Sequence, residues 1–287
     1  MTNTDPAATP RAQTIHTMFR GSAEATKRIR QSALVLDLVA AGIAAYGVLS
    51  GDVLWGGWAS LVLLMLMLTA TGLRIWSRGI QSYSERCRRV SARAFAHGRD
   101  VGAAVQSGLV ADAPMLTQRL AKKLPAGTLE AYYEPTKPPG SARLQEMYAH
   151  SSFYSWRLLR STGALFLVSG TLIAIIGAVV IYGLAVDPPS ATTAGRVLDV
   201  VCSLVFVALP AKAIDAGIAA LVGARDSRGV ADELIATADS ERIAELTSLY
   251  DMERNSGPLV PTLIYRLSRD SLQKEWHSRR AALDELS

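Results

Sequence analysis

The side chains able to do chemistry are few and scattered in this sequence. His16, His97, His150 and His277 fall in four different segments with no paired ligand nearby, so solvated or structural roles are expected of them. His150 stands beside Ser151 and Ser152, but neighbours on a helix point about 100° apart and do not readily form a base–nucleophile hydrogen bond. There is no GxGxxG after a strand, no phosphate loop, no HExxH and no GxSxG. Cys87 and Cys202 lie in segments of opposite character, one polar and one apolar, which argues against a disulfide framework or a cysteine metal site. The expectation is a non-enzyme with no cofactor and no metal.

The charges of most interest instead interrupt apolar runs. Asp37 lies within 33–49, and Asp199, Lys212 and Asp215 lie within 197–222. A charge at the centre of a membrane helix costs about 2.5–3.5 kcal/mol and usually faces protein or water. Asp199 is one turn from Arg196, and the two can pair near the outer surface. Lys212 and Asp215 are three residues apart, just past a kink expected at Pro210, and a local ion pair is the simple reading. Asp37 has no such neighbour. It should sit about 6 Å deep from the cytoplasm, against about 7 Å for Lys212. An Asp37–Lys212 contact, possible as a latch on a pore, is therefore the second reading.

The elements that must carry these charges follow from the apolar runs. The chain has 287 residues, 49% hydrophobic and 19% charged, with the apolar residues gathered in two blocks around a polar centre. Spanning a hydrocarbon core of about 30 Å takes about 20 helical residues. The runs 53–73 and 163–186 contain no charge and read as membrane helices on their own. The runs 33–49 and 197–222 are weaker, and buried or re-entrant helices are their alternative. Each is joined to a strong neighbour by a short connection, so two hairpins and four spans are predicted, in an all-α integral membrane fold.

Lysine and arginine distribution orients them. Of the 30 basic residues, five lie in 1–32, fourteen in 74–162 and nine in 223–287, whereas Arg196 is alone in the connections expected outside. By the positive-inside rule both termini and the middle segment are cytoplasmic, and the membrane is the inner (plasma) membrane. The organisation expected is a tail and basic helix at 1–32, a hairpin at 33–76, cytoplasmic helices at 77–162, a second hairpin at 163–222 and further helices at 223–287. No cleavable leader is expected ahead of the first span. The net charge of +5 points to anionic lipid rather than nucleic acid, with Arg74, Arg78, Arg86, Arg88, Arg89 and Arg93 expected at headgroups.

Within the polar segments, the second span should continue without a breaker to Gly98, a helix is expected over 113–124, and Pro135, Pro138 and Pro139 should form a rigid turn. Helix resumes at Ala142 with Leu144, Met147, Tyr148 and Leu158 on one stripe, and 226–252 and 261–286 read as two more helices. Gly170, Ala174 and Ala178 recur every four residues, a spacing that lets helices approach, although small residues are common in membrane helices anyway.

A local pattern then stands out: Tyr132-Tyr133, the proline turn, Arg143-Leu144, and Ser152-Phe153 through Trp156 to Arg160 ahead of the third span. With the order hairpin, basic helical middle, hairpin, helices, it resembles the SMODS-associating four-transmembrane effectors and the broader SLATT group of prokaryotic conflict systems. The resemblance implies an oligomeric, pore-forming or membrane-disrupting effector in antiviral defence, triggered by a signal nucleotide or a cytoplasmic sensor protein. A non-enzymatic membrane scaffold or sensor, and a constitutive small-solute channel or transporter, are the alternatives.

Overall fold

The computed structural model describes residues 10–50, 53–124, 128–186, 193–258 and 260–286, and their side chains except those of 45, 47–50, 53–58, 180, 183–186, 193–204, 256, 262 and 282–286. All regular structure among the described residues is helical: α1 (Pro10–Ser50), α2 (Val53–Ala96), α3 (Ala103–Ala111), α4 (Met115–Ala121), α5 (Leu129–Tyr133), α6 (Ser141–Val186), α7 (Thr193–Ala236), α8 (Ser240–Ser256) and α9 (Thr262–Leu286). The lengths of α1, α2 and α6 follow from the absence of internal proline, and α7 continues through Pro210.

Among the described residues three helices are long and apolar enough to cross a membrane: α2 over Ala59–Ala96, α6 over Ser141–Val179 and α7 over Val205–Ala236. Only 17%, 22% and 28% of their most apolar stretches are buried by protein, so most of this apolar surface needs another apolar medium. The fourth apolar run, 33–49 in α1, lies partly outside the residues whose side chains are described.

Two compact units partition the chain. One comprises Arg28–Ser77 and Gly163–Ala219, and its core is thin: Ala40, Ala44, Ala59 and Leu63 meet Val205 and Phe206. Small side chains there let backbones approach. A Cβ on Gly170 would stand 2.9 Å from Ile214 Cγ1, and one on Gly177 would stand 3.0 Å from the Phe206 carbonyl oxygen. On α7, a Cβ at Gly217 would lie 3.1 Å from the Leu167 nitrogen. Outward from this core, Leu38, Leu64, Met65, Val168, Leu172 and Ile175 are exposed.

The other unit comprises Met1–Lys27, Arg78–Thr162 and Ala220–Ser287, and it has a full-sized core. The α6 stripe supplies Leu144, Met147, Tyr148 and Leu158, packed with Phe19, Tyr83, Leu234, Leu246, Tyr250 and Trp276. Two helix boundaries differ from the sequence expectation. The helix expected over 113–124 begins after Pro114, which caps α4, and α3 precedes it as a separate helix. The helix expected over 226–252 is broken at 237–239. There Asp239 caps α8 by accepting from the Glu241 N–H at 3.0 Å, and Gln145 donates to the Thr237 carbonyl at 2.6 Å. A capping aspartate satisfies orphan N–H groups that a continuous helix would satisfy internally, so the break costs little.

The proline turn is pinned as firmly. The Thr136 and Lys137 N–H groups donate to the Glu146 carboxylate at 2.9 and 3.0 Å, and Gly140 donates to the Ala96 carbonyl at 2.8 Å. Glu134 closes α5 with φ 47°, a left-handed cap.

Candidate functional site

Among the described residues, two clusters of buried charged groups stand out, one in each unit. In the thin-cored unit, Asp37 of α1 is 6% exposed and forms an ion pair with Arg74 of α2. One turn along α2, Ser77 accepts from Arg30 Nε at 3.2 Å, so the two helices pair in opposite directions. The Asp37–Lys212 latch is therefore corrected: the carboxylate takes Arg74. Among the described residues Lys212 and Asp215 form no ion pair with each other or elsewhere, and both side chains are exposed on α7. The expected Asp199–Arg196 pair falls on side chains outside the described residues.

The other cluster is larger and was not anticipated. Arg88 of α2 is only 1% exposed, which removes it from the arginines expected at headgroups. Its Nε donates to Glu85 at 2.6 Å and its Nη2 to Asp251 of α8 at 2.6 Å. Asp251 also accepts from the Tyr148 hydroxyl at 3.0 Å and from Arg93 at 3.3 Å. Glu85 accepts a second arginine, Arg254 Nε, at 3.0 Å, and Arg254 donates onward to the Tyr250 hydroxyl at 2.9 Å. The Arg88 guanidinium lies over the rings of both Tyr148 and Tyr250, 5.7 and 5.5 Å from their centroids. Glu85 and Arg88 are one turn apart on α2, and Tyr250 and Arg254 one turn apart on α8, so helical spacing presents each set to the other.

Burial alone would raise the Glu85 carboxyl, but Arg254 and Arg88 outweigh it and hold the group below its ordinary range. Burial likewise opposes the charge on Arg88, and Glu85, with Asp251 among the further contributors, more than offsets it. The Tyr148 phenol is pushed up to about 12 by burial, so it stays a hydrogen-bond donor. The cluster is thus an ionised clasp between α2, α6 and α8, with three arginines against two carboxylates. It contains no nucleophile beside a base.

Burial shifts three further groups of this unit. Burial pushes the Cys87 thiol up to about 11. His16 and His150 are lowered to about 4, first by burial and then by neighbouring cations. No group of three or more His, Cys, Asp or Glu side chains able to hold a metal occurs among the described residues.

The small-residue stripe is also redrawn. Gly170 is buried against α7, but Ala174 is half-buried and Ala178 exposed. Among the described residues the buried glycines of α6 are Gly163, Gly170 and Gly177, every seven residues rather than every four.

Most of the residues around the proline turn are core. Tyr133, Leu144, Ser152 and Phe153 are buried, and Ser152 bonds back to the Tyr148 carbonyl at 2.8 Å. Tyr132 packs edge-on against His16 and Phe19. Arg143 donates to the Lys137 carbonyl at 2.9 Å. Trp156 lies between Arg157 and Arg228, and Arg160 is exposed. Compared with known proteins, the chain matches no protein family, no curated protein and no solved structure, so its own residues are the ground for a functional reading.

Proposed function

We propose that the chain spans the inner membrane four times as two hairpins, with both termini and residues 77–162 in the cytoplasm, and that it oligomerises into a pore-forming or membrane-disrupting effector. The observation that carries this reading is the placement of Lys212 and Asp215. Both are exposed on α7 within a helix long and apolar enough to cross a membrane, where the flanking Val207, Ile218 and Val222 are exposed too. Charges facing hydrocarbon are unfavourable, by up to about 2.5–3.5 kcal/mol each at a helix centre and less towards its ends, so this face is better suited to a water-filled lumen or to another copy than to lipid. The four-span topology is further supported by the segregation of 28 of the 30 basic residues to one side. The trigger, a signal nucleotide or a sensor protein, and the role in antiviral defence rest on the resemblance alone.

The test is inducible expression with a membrane-potential dye. Wild-type protein is expected to depolarise the cell and arrest growth, whereas a K212L/D215L variant, inserted at equal level, is expected to do neither. Harmless expression of the wild type with no leak, even with its neighbouring genes co-expressed, would overturn the effector reading in favour of a scaffold. That alternative draws on the clasp, which ties α2, α6 and α8 of the larger-cored unit together.

A further inference from the structure

The corner between α8 and α9 has a composition that a soluble surface does not need. Leu263 and Leu267 are 64% and 76% exposed, one turn apart on one face of α9, and Met252 on α8 is 70% exposed. Arg266, also exposed, borders this leucine pair, with exposed Asp270 beside it and exposed Arg269 farther round α9. Within the larger-cored unit, contacts fix where the corner lies. Lys27, the last residue of the unit's first segment, stands over the Tyr265 ring at 5.9 Å from its centroid. Gln81, three residues into the second segment, donates to the Gly257 carbonyl at 3.2 Å. Val260 packs on the cluster of Leu159, Ala220 and Ala224, beside the points where α6 leaves the unit and α7 enters it. The corner therefore lies at the end of the unit from which all four long helices run on into their apolar stretches.

Every one of those helices carries an exposed arginine within a few residues of that transition: Arg28, Arg78, Arg160 and Arg225. Such residues mark the level of anionic headgroups when the helices cross a membrane. Exposed leucines with arginines on the same turns have the makeup of an interfacial helix, with apolar side chains in the acyl boundary and guanidinium groups reaching phosphates. We infer that the α8–α9 corner, through Leu263, Leu267, Arg266 and Arg269, is a second membrane contact that docks on the anionic cytoplasmic lipid surface. This inference rests on the membrane-spanning reading given above.

Depth measurement by spin-label accessibility tests it in the full chain, with Cys87 and Cys202 replaced by serine and the protein reconstituted in phosphatidylglycerol vesicles. A nitroxide on Leu267→Cys is expected to favour collisions with oxygen over an aqueous nickel complex, the inverse of the contrast at Met115→Cys on α4, which is exposed in the same unit. Adding R266E and R269E is expected to lose that oxygen preference. Water-like accessibility at position 267, matching that at 115, would overturn the inference. So would protection from both reagents with spin–spin broadening that disappears on dilution with unlabelled protein, which would mean a second copy covers the face. A label on Val168→Cys of α6 separates the two levels of argument, because oxygen preference there with an aqueous label at 267 defeats the docking surface alone. An aqueous label at 168 defeats the membrane-spanning reading and the docking surface with it.

Discussion

Replacing Arg88 by methionine is the sharpest perturbation of the clasp. The side chain is 1% exposed and makes two 2.6 Å charged hydrogen bonds, to Glu85 and Asp251. Methionine fills much of the volume but leaves Asp251, also 1% exposed, with only Arg93 at 3.3 Å and Tyr148. Glu85 keeps Arg254 at 3.0 Å. Each charge-assisted bond is worth about 1.5–3 kcal/mol, and breaking a buried ion pair from one side costs about 3–5 kcal/mol, so a loss of about 3–5 kcal/mol is expected for R88M.

For a unit of this size that loss corresponds to a fall in Tm of about 10 °C. The assay is thermal unfolding of the detergent-solubilised protein followed by tryptophan fluorescence, to which the buried Trp276 contributes from the same unit. The double variant R88M/D251N, which removes the stranded carboxylate as well, is expected to be more stable than the sum of its parts by about 1–3 kcal/mol. A cost below about 1 kcal/mol for R88M, or strict additivity in the double variant, would refute the assignment of a buried, coupled network.

Further expectations concern acid, the glycine seam and the intramembrane pair. His16 is held at about 4 in the folded protein against about 6.5 unfolded, so the unfolded chain takes the proton first. Stability falls as the pH drops from 6.5 towards 4, by about 3 kcal/mol for this residue, and H16F should make that part of a Tm-against-pH profile about half as steep, His150 supplying the rest. G170V should cost about 1–3 kcal/mol in detergent melts, because the Cβ would stand 2.9 Å from Ile214 and 3.1 Å from Ala213. G72A, with nothing within 4 Å of the added Cβ, should gain about 1 kcal/mol from helix propensity in the same melts. Reversing one partner in D37R should destabilise the protein, and R74D should rescue it in the same chain whereas K212D should not; rescue by K212D would restore the latch inferred from depth alone.

Much of the architecture was legible because periodicity and charge segregation are local signals. The long apolar runs, the continuation of the second run into a polar helix ending at Ala96, the break at the prolines and the α6 stripe all depend on near neighbours in the chain, although the turn is held in part by the distant Ala96 carbonyl. Boundaries were missed at Pro114, whose ring fixes φ and lacks an N–H, and at Asp239, whose cap bond outweighed helix propensity. The partners of charges were less legible. Depth along a membrane helix ranked Lys212 as the match for Asp37, but it carries no information on azimuth, and packing of α1 on α2 turned the carboxylate to Arg74. Gly170, Ala174 and Ala178 likewise satisfied a spacing rule, while the close approach to α7 is at Gly170 and Gly177.

Sequence by itself determined an all-helical chain with stretches suited to a bilayer and an uneven spread of positive charge, since both follow from residue type and order. It could not determine that Arg88, one of several arginines just past an apolar run, is buried. That was decided by tertiary structure: Glu85 is three residues away in the chain, but Asp251 is 163 away, and only folding brings the second carboxylate within 2.6 Å of the guanidinium. A cation that looks destined for headgroups becomes a core residue when two carboxylates and two tyrosine rings converge to replace its water.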